Sequence, residues 1–78
     1  MVATARRVEG RTKESVGARV ARLRGERELS RSQLARQCGL HYQTVVKIEN
    51  DALRDPSLST VVALCRGLRV SYSELIDG

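Results

Sequence analysis

Apolar residues recur three and four positions apart along most of the chain, and the sequence lacks the strict alternation typical of β-strands. In the first such stretch, Val16, Val20 and Leu23 fall on one face of a helix predicted over residues 13–27. Its arginines lie off that face, and we expect them to point away from the core: Arg19, Arg22 and Arg27.

Two short segments in the middle of the chain have the pattern of a helix, a turn and a second helix. Ser30 and Gln33 form a capping box that begins one helix, and Gly39 is the residue expected to end it in a left-handed conformation. A new apolar period then begins with Val45 and Ile48. Two helices joined by a turn of about three or four residues containing glycine form a helix-turn-helix unit.

Two further helices are predicted in the last third of the chain. A polar loop over residues 51–56 precedes Ser57, which is placed to cap a fourth helix. A second capping box, over residues 71–74, begins a short fifth helix. The fourth helix carries the apolar residues Leu58, Val61, Val62, Leu64, Cys65 and Leu68. The sequence therefore predicts an all-α fold, a bundle of five helices.

The third helix, predicted over residues 42–50, has two chemically different sides. Val45 and Ile48 must point inward, so at about 100° per residue the other side carries mostly polar groups. Glutamine can pair with an adenine edge, lysine can donate to guanine or phosphate, and valine can pack on a thymine methyl group. The candidate base-reading residues are Tyr42, Gln43, Thr44, Val46 and Lys47. Of these, Thr44 lies nearer the core, although its hydroxyl could still reach a base or a phosphate. The alternative is an ordinary solvated helix face.

The starts of the helices supply a second set of candidates. Backbone N–H groups at a helix N-terminus attract anions, and phosphate contacts fix the register of a protein on DNA. If the helix starts border one surface, they can hold phosphates on both sides of a groove. The candidate phosphate contacts are Arg31, Ser32, Gln33, His41, Ser57, Ser59 and Thr60. The alternative for each cap is a purely structural role.

Charge is distributed unevenly along the 78 residues. Residues 1–31 hold nine basic and four acidic side chains, a net charge of +5, whereas residues 32–78 hold five of each. Twelve of the 14 cations are arginines, which suit bidentate contacts with phosphate or guanine. We expect a basic, disordered N-terminal arm over residues 1–11, one domain over residues 12–78, and double-stranded DNA as the partner.

Composition also argues against other classes of protein. No apolar run approaches the roughly 20 residues that span a bilayer, so we expect no membrane association. The first residues lack the apolar segment of a signal peptide, which predicts a cytoplasmic protein. One histidine and two cysteines without zinc-site spacing predict no metal, no cofactor and no enzyme. Cys38 and Cys65 are interpreted as buried thiols, with redox sensing as the alternative.

Five ordered segments carry a resemblance to a known family: LSRSQLA (residues 29–35), CGL (38–40), IEN (48–50), PSLST (56–60) and LRVSYSEL (68–75). In this order and spacing they resemble the Xre family of Cro/CI-type regulators, and the resemblance extends over about residues 14–77. The resemblance implies a lambda-repressor-like bundle of five helices in which the second and third helices read DNA. It also implies a transcription regulator that binds inverted repeats as a dimer.

The resemblance further implies roles for single residues. Arg31 corresponds to a phosphate contact at a helix start, where the family usually has glutamine. Arg24 and Glu49 correspond to a pair that links the first helix to the recognition helix in related phage repressors. The alternative is a weakly coupled surface pair contributing under about 1 kcal/mol. Asp51 and Arg69 stand where the family often has glycine, and a left-handed turn costs them more than it costs glycine.

Three other positions leave alternatives open. His41 stands at the start of the third helix, where the family more often has serine or threonine, so the strength of that cap is in question. Gly67, inside the fourth helix, could let another backbone approach closely. Tyr72 could anchor a dimer interface with Leu75 and Ile76, or it could simply cover the end of the core.

The leading hypothesis is a sequence-specific DNA-binding transcriptional regulator that acts as a homodimer on an inverted-repeat operator. The length suits a restriction-modification controller, although phage Cro-like repressors and antitoxins are not separated from it. Such a regulator would block or recruit RNA polymerase. The competing class is an antitoxin-type protein-interaction module with secondary DNA binding, and its partner would be a toxin. A third hypothesis is a nonspecific nucleic-acid binder that uses the arginine-rich arm.

Overall fold

Five α-helices make up the part of the chain that the computed structural model describes, residues 14–53 and 55–77, and this part contains no strand. In chain order they are α1 (Val16–Glu26), α2 (Arg31–Cys38), α3 (Tyr42–Glu49), α4 (Leu58–Leu68) and α5 (Tyr72–Ile76). The all-α prediction is confirmed. The arm predicted over residues 1–11 lies outside the described residues.

Serine side chains fix the starts of four helices. Ser15 Oγ accepts the N–H of Ala18 at 3.0 Å, so α1 begins at Val16, later than the predicted residue 13. In the α2 capping box, Ser30 Oγ accepts the N–H of Gln33 at 3.0 Å, and Gln33 Oε1 accepts the N–H of Ser30 at 2.7 Å. The α5 box has the same pair of bonds. Both predicted capping boxes are therefore present.

The core is aliphatic and receives side chains from all five helices. α1 packs on α3 and α5, while α2 packs on α3 and α4. The buried apolar residues are Val20, Leu23, Leu34, Ala35, Val45, Ile48, Val61, Leu64, Leu68 and Leu75. In this arrangement α1 and α2 cover the inner side of α3, the side that carries its buried residues.

Arg19 contradicts the prediction that it points away from the core, because only 4% of the residue is exposed. Its Nη1 donates to the carbonyl oxygens of Leu75 and Ile76 at 2.8 and 3.0 Å. Its Nε donates to Glu14 Oε1 at 3.2 Å. The last carbonyls of a helix have no partner within the helix, and the buried guanidinium supplies one for α5. Helical periodicity cannot reveal such a partner.

Several turns have left-handed backbone, and three of the residues that adopt it are not glycine: Glu28 (φ 56°), Asp51 (φ 61°) and Arg69 (φ 59°). Asp51 and Arg69 thus keep the turn geometry associated with glycine despite its cost to a side chain. Gly39, with φ 70°, ends α2 as predicted.

Gly67 lies where α4 crosses α2. It is buried, and a Cβ added there would overlap Cys38 Sγ and lie 3.3 Å from Cys38 Cα. The close approach expected at Gly67 is therefore that of Cys38, at the end of α2. Cys38 and Cys65 are both free thiols, partly rather than fully buried. Burial raises the pKa of each thiol, which disfavours the reactive thiolate.

Candidate nucleic-acid interface

α3 is the second helix of the helix-turn-helix unit, and two buried residues fix its inner face. Val45 and Ile48 lie in the core, as predicted. α1 and α2 pack against α3. Because Val45 and Ile48 stand three positions apart, they fix the rotation of the helix about its own axis and so determine which side chains face outward.

The outer side of α3 is polar and accessible. Tyr42, Gln43 and Lys47 are exposed, and Tyr42 exposes 46% of its surface. We call these three residues the α3 flank. Thr44 and Val46 are half-buried, so they can offer only part of their surface to a ligand. The predicted base-reading set therefore divides into three exposed side chains and two half-buried ones.

Glu49, at the end of α3, is enclosed by two arginines. Arg24 of α1 donates from Nε to Oε2 at 2.7 Å and from Nη2 to Oε1 at 3.1 Å, a bidentate pair. Arg31 of α2 donates from Nε to Oε1 at 3.0 Å. The Arg24–Glu49 pair implied by the family resemblance is present, whereas the Arg31 bond was not predicted. One carboxylate thus joins α1, α2 and α3.

We call Arg24, Arg31 and Glu49 the Glu49 cluster. It differs from an ordinary surface ion pair, since only 2% of the Glu49 side chain is exposed. Burial is the largest single influence on the pKa of Glu49 and raises it. The hydrogen bonds and charges of Arg24 and Arg31 together outweigh burial, so the pKa lies below its usual value. Two positive charges then surround one negative charge, which leaves the cluster attractive to a polyanion.

A shallow polar concavity lies beside this cluster at the start of α2. It has a volume of about 380 Å³ and is lined by Arg24, Ser30, Arg31, Ser32 and Tyr42. The first N–H groups of a helix lack partners within the helix, and the dipole there is positive. The concavity therefore brings two predicted phosphate contacts, Arg31 and Ser32, next to Tyr42 of the α3 flank.

Of the other predicted phosphate contacts, Gln33 is exposed in the first turn of α2, and the rest lie at the starts of α3 and α4. Ser57 Oγ accepts the N–H of Thr60 at 3.3 Å and lies 3.1 Å from Ser59 Oγ and 3.0 Å from Thr60 Oγ1. Ser57 and Ser59 are exposed, whereas Thr60 is half-buried. His41 is exposed at the N-cap of α3 and makes no side-chain capping bond. Its cap is weaker than the serine caps for that reason.

A contact between the end of α3 and the start of α1 was not predicted. Asp51, directly after α3, accepts a hydrogen bond from Ser15 Oγ at 3.1 Å. A Cβ on Gly17 would overlap the carbonyl oxygen of Ile48 and lie 2.6 Å from Asp51 Oδ1. Glycine therefore permits the close approach of α1 to α3. In the sequence, Asp51 stands out only as a departure from the family resemblance, and nothing there indicates its partner.

A comparison with protein families identifies this arrangement. The helix-turn-helix family model HTH_3 matches residues 20–75, most of the chain. The chain belongs to the Xre/Cro-CI-type helix-turn-helix family. This Xre-type protein is therefore a DNA-binding transcriptional regulator with a lambda-repressor-like helical bundle, and its family is regulatory rather than enzymatic. Neither a curated protein nor a solved structure matches the chain.

The described part of the Xre-type regulator contains neither a membrane-spanning helix nor a cluster of metal-binding side chains. Its longest helices have 11 residues, far fewer than the roughly 20 that a bilayer requires. None of the helices within residues 14–53 and 55–77 combines the length and the apolar character of a membrane-spanning segment. Those residues also contain no cluster of His, Cys, Asp or Glu side chains suited to a metal ion.

The predicted dimer contacts of the Xre-type regulator lie on α5 and differ in accessibility. Leu75 is 0% exposed and belongs to the core, so the prediction that it contacts a second subunit is corrected. A fully buried side chain has no surface left for a partner. Tyr72 is largely exposed and Ile76 is half-buried. The predicted interface is thereby reduced to Tyr72 and Ile76.

Proposed function

We propose that this regulator recognises a specific DNA sequence by placing the α3 flank in the major groove. The observation that carries the proposal is the contrast between the two sides of α3. Val45 and Ile48 are buried, whereas Gln43 and Lys47 face solvent. The major groove admits an α-helix, and glutamine and lysine can pair with the edges of adenine and guanine there. Thr44 and Val46 would add contacts at the edge of the flank.

The Glu49 cluster would support base recognition by holding α3 at a fixed angle to α1 and α2. Arg24 and Arg31 occupy both oxygens of the carboxylate, so Glu49 is neutralised where an uncompensated negative charge would repel DNA. All three guanidinium nitrogens of Arg24 donate to Glu49 or to the Leu29 carbonyl oxygen, whereas Arg31 uses only Nε in its bond to Glu49. Arg31 can therefore hold a phosphate and the recognition helix together.

Phosphate contacts on either side of the α3 flank would fix its register. On one side, the proposed contacts come from the start of α2. There the side-chain oxygen of Gln33 accepts a hydrogen bond in the capping box, and the side-chain NH₂ group can still donate to a phosphate. On the other side they come from the first turn of α4. The proposed contacts are Arg31, Ser32, Gln33, His41, Ser57, Ser59 and Thr60. Such contacts position the protein but do not read sequence.

The regulator would bind as a homodimer on an inverted repeat, with Tyr72 and Ile76 at the interface. In dimeric helix-turn-helix proteins the two recognition helices enter successive turns of the major groove, about 34 Å apart. A small regulator of this kind could act as a restriction-modification controller, responding to its own concentration through the self-association equilibrium. The exposed aromatic ring of Tyr72 supports a contact at α5.

A selection from random duplex DNA tests this proposal. We expect the protein to enrich a palindromic consensus whose half-sites are about one helical turn apart, as symmetric binding requires. The half-site should contain adenine and guanine at positions that Gln43 and Lys47 can reach. Enrichment without any consensus, together with a steep salt dependence, would show a nonspecific binder and contradict the proposal.

A further inference from the structure

A second concave surface lies between α2 and α4, and α1 and α3 contribute nothing to it. It has a volume of about 670 Å³. We call it the α2–α4 groove, and the residues that line it include Arg36, Gln37, Leu58, Ser59, Val62 and Arg66. Apart from Ser59, these residues have no part in the proposed DNA interface.

The floor of the α2–α4 groove is apolar and faces solvent. Leu58 exposes 69% of its surface and Val62 exposes 38%, and the two stand four positions apart on the same side of α4. Both are large apolar residues that the core does not use. Leu58 to Arg66 spans about 12 Å at 1.5 Å per residue, a length that two turns of a partner helix would cover.

The rim of the α2–α4 groove is basic. Arg36 and Arg66 line it, and Arg69 borders an adjoining cleft that shares Gln37 with it. No acidic residue lines either surface. Within residues 14–53 and 55–77, none of these three arginines has an acidic side chain within ion-pair distance. By contrast, Arg24 and Arg31 are both paired with Glu49.

We propose that the α2–α4 groove docks an acidic amphipathic helix of a partner protein. The apolar face of such a helix would cover Leu58 and Val62, and its carboxylates would pair with Arg36 and Arg66. An amphipathic helix laid in an apolar groove is a recurrent mode of peptide recognition. Charge complementarity selects an acidic ligand and argues against the chain's own N-terminal segment, since residues 1–13 carry four basic side chains and one acidic.

DNA fits this surface less well than an acidic helix does. Phosphates would satisfy Arg36 and Arg66 but would offer no apolar surface to Leu58, the most exposed large apolar residue of the described chain. An acidic amphipathic helix supplies both kinds of contact. This inference does not depend on the sequence specificity of the α3 flank, so the two proposals can fail separately.

The test follows the full-length, isotopically labelled protein by NMR as a designed peptide is added. The peptide is a helix of about 14 residues with leucines one turn apart and glutamates on both sides of them. We expect saturable shifts at Arg36, Leu58, Val62 and Arg66 and none on the α3 flank. A control peptide with lysine in place of every glutamate should cause no such shifts.

Two variants and a matched control sharpen this test. Leu58→Ser and Arg66→Ser should each weaken peptide binding roughly tenfold, the effect of losing about 1.4 kcal/mol of contact. Arg22→Ser makes the same chemical change on α1, outside the groove, and should leave the affinity unchanged. Equal weakening by Arg66→Ser and Arg22→Ser would show a general charge effect and overturn the proposal.

Two other results would assign the groove to a different occupant and also overturn the proposal. In one, duplex DNA shifts Val62 and Arg66 and displaces the peptide, which would make the groove part of the DNA contact. In the other, Leu58→Ser converts a dimer into a monomer in sedimentation, which would make the groove a contact between two copies of this chain. Absence of any peptide binding overturns it as well.

Discussion

Glu49 gives the regulator an acid dependence with a definite sign. Its pKa is lowered in the folded protein, so its contribution to stability is fully present above the unfolded value of about 4.3 and is lost as pH falls through the lower folded value. We expect the urea midpoint of the wild type to drop between about pH 5 and about pH 3. Glu49→Gln should be less stable at neutral pH and should lose less on acidification.

An exposed glutamate provides the control for this acid dependence. Glu28 is exposed and forms no ion pair within the described part of the chain, so Glu28→Gln should keep the wild-type slope of stability against pH. If Glu49→Gln kept that same slope, the folded state would not depend on an ionised Glu49. The pairing with Arg24 and Arg31 would then contribute nothing measurable.

Arg19 is expected to be a major determinant of stability despite its charge. Removing its side chain would leave the Leu75 and Ile76 carbonyls without their side-chain donor. It would also remove one of the two arginines that bind the Glu14 carboxylate. We expect Arg19→Ala to lower the free energy of unfolding by about 2–4 kcal/mol, the range for a broken buried polar network. Urea unfolding measures this, and the half-exposed Arg22→Ala should have a much smaller effect. Equal effects would contradict the buried role of Arg19.

Two glycines of α1 provide a matched pair at the level of the helix. Gly25 has nothing within 4 Å of a built Cβ, so Gly25→Ala should stabilise the protein by about 0.5–1 kcal/mol through helix propensity. Gly17→Ala forces a methyl group onto the Ile48 carbonyl and should destabilise it by about 1–3 kcal/mol. Thermal unfolding measures both. Stabilisation by Gly17→Ala would contradict the close packing of α1 on α3.

The sequence predicts the helices well where the signals are local. The capping boxes at Ser30 and Ser71 involve residues three positions apart, so they can be read directly from the chain. The inward direction of Val45 and Ile48 also follows from spacing alone. Val46 is less exposed than the helical wheel suggests, because a wheel does not include the neighbouring helices that cover the edges of α3.

Contacts between distant parts of the chain could not be predicted in this way. Arg19 finds its carbonyl partners 56 and 57 positions away, and Ser15 meets Asp51 across 36 positions. Arg31 was predicted to contact phosphate only, and its bond to Glu49 depends on how α2 packs against α3. In each case the chemistry of the residue was visible, but its partner was fixed by the packing of the bundle.

For the whole molecule, the proposed dimer depends on Tyr72. Because Leu75 is buried, a charge at position 75 would disrupt the core, whereas Tyr72 can be changed on the surface. We expect Tyr72→Asp to sediment as a folded monomer with an unchanged helical circular dichroism spectrum. Ser32→Asp, an equally acidic change at the exposed start of α2, should remain a dimer without DNA. A dimeric Tyr72→Asp would move the interface away from α5.

The most direct test of the DNA-reading role is the affinity of Gln43→Ala for the selected duplex and for its single-base variants. If Gln43 pairs with one base, the substitution should cost about 1–3 kcal/mol on the selected duplex and abolish discrimination at one base position only. Gln37→Ala, a change of the same type on exposed α2 surface, should leave discrimination intact. An equal loss of affinity on every duplex, or no loss at all, would show that the α3 flank does not read bases.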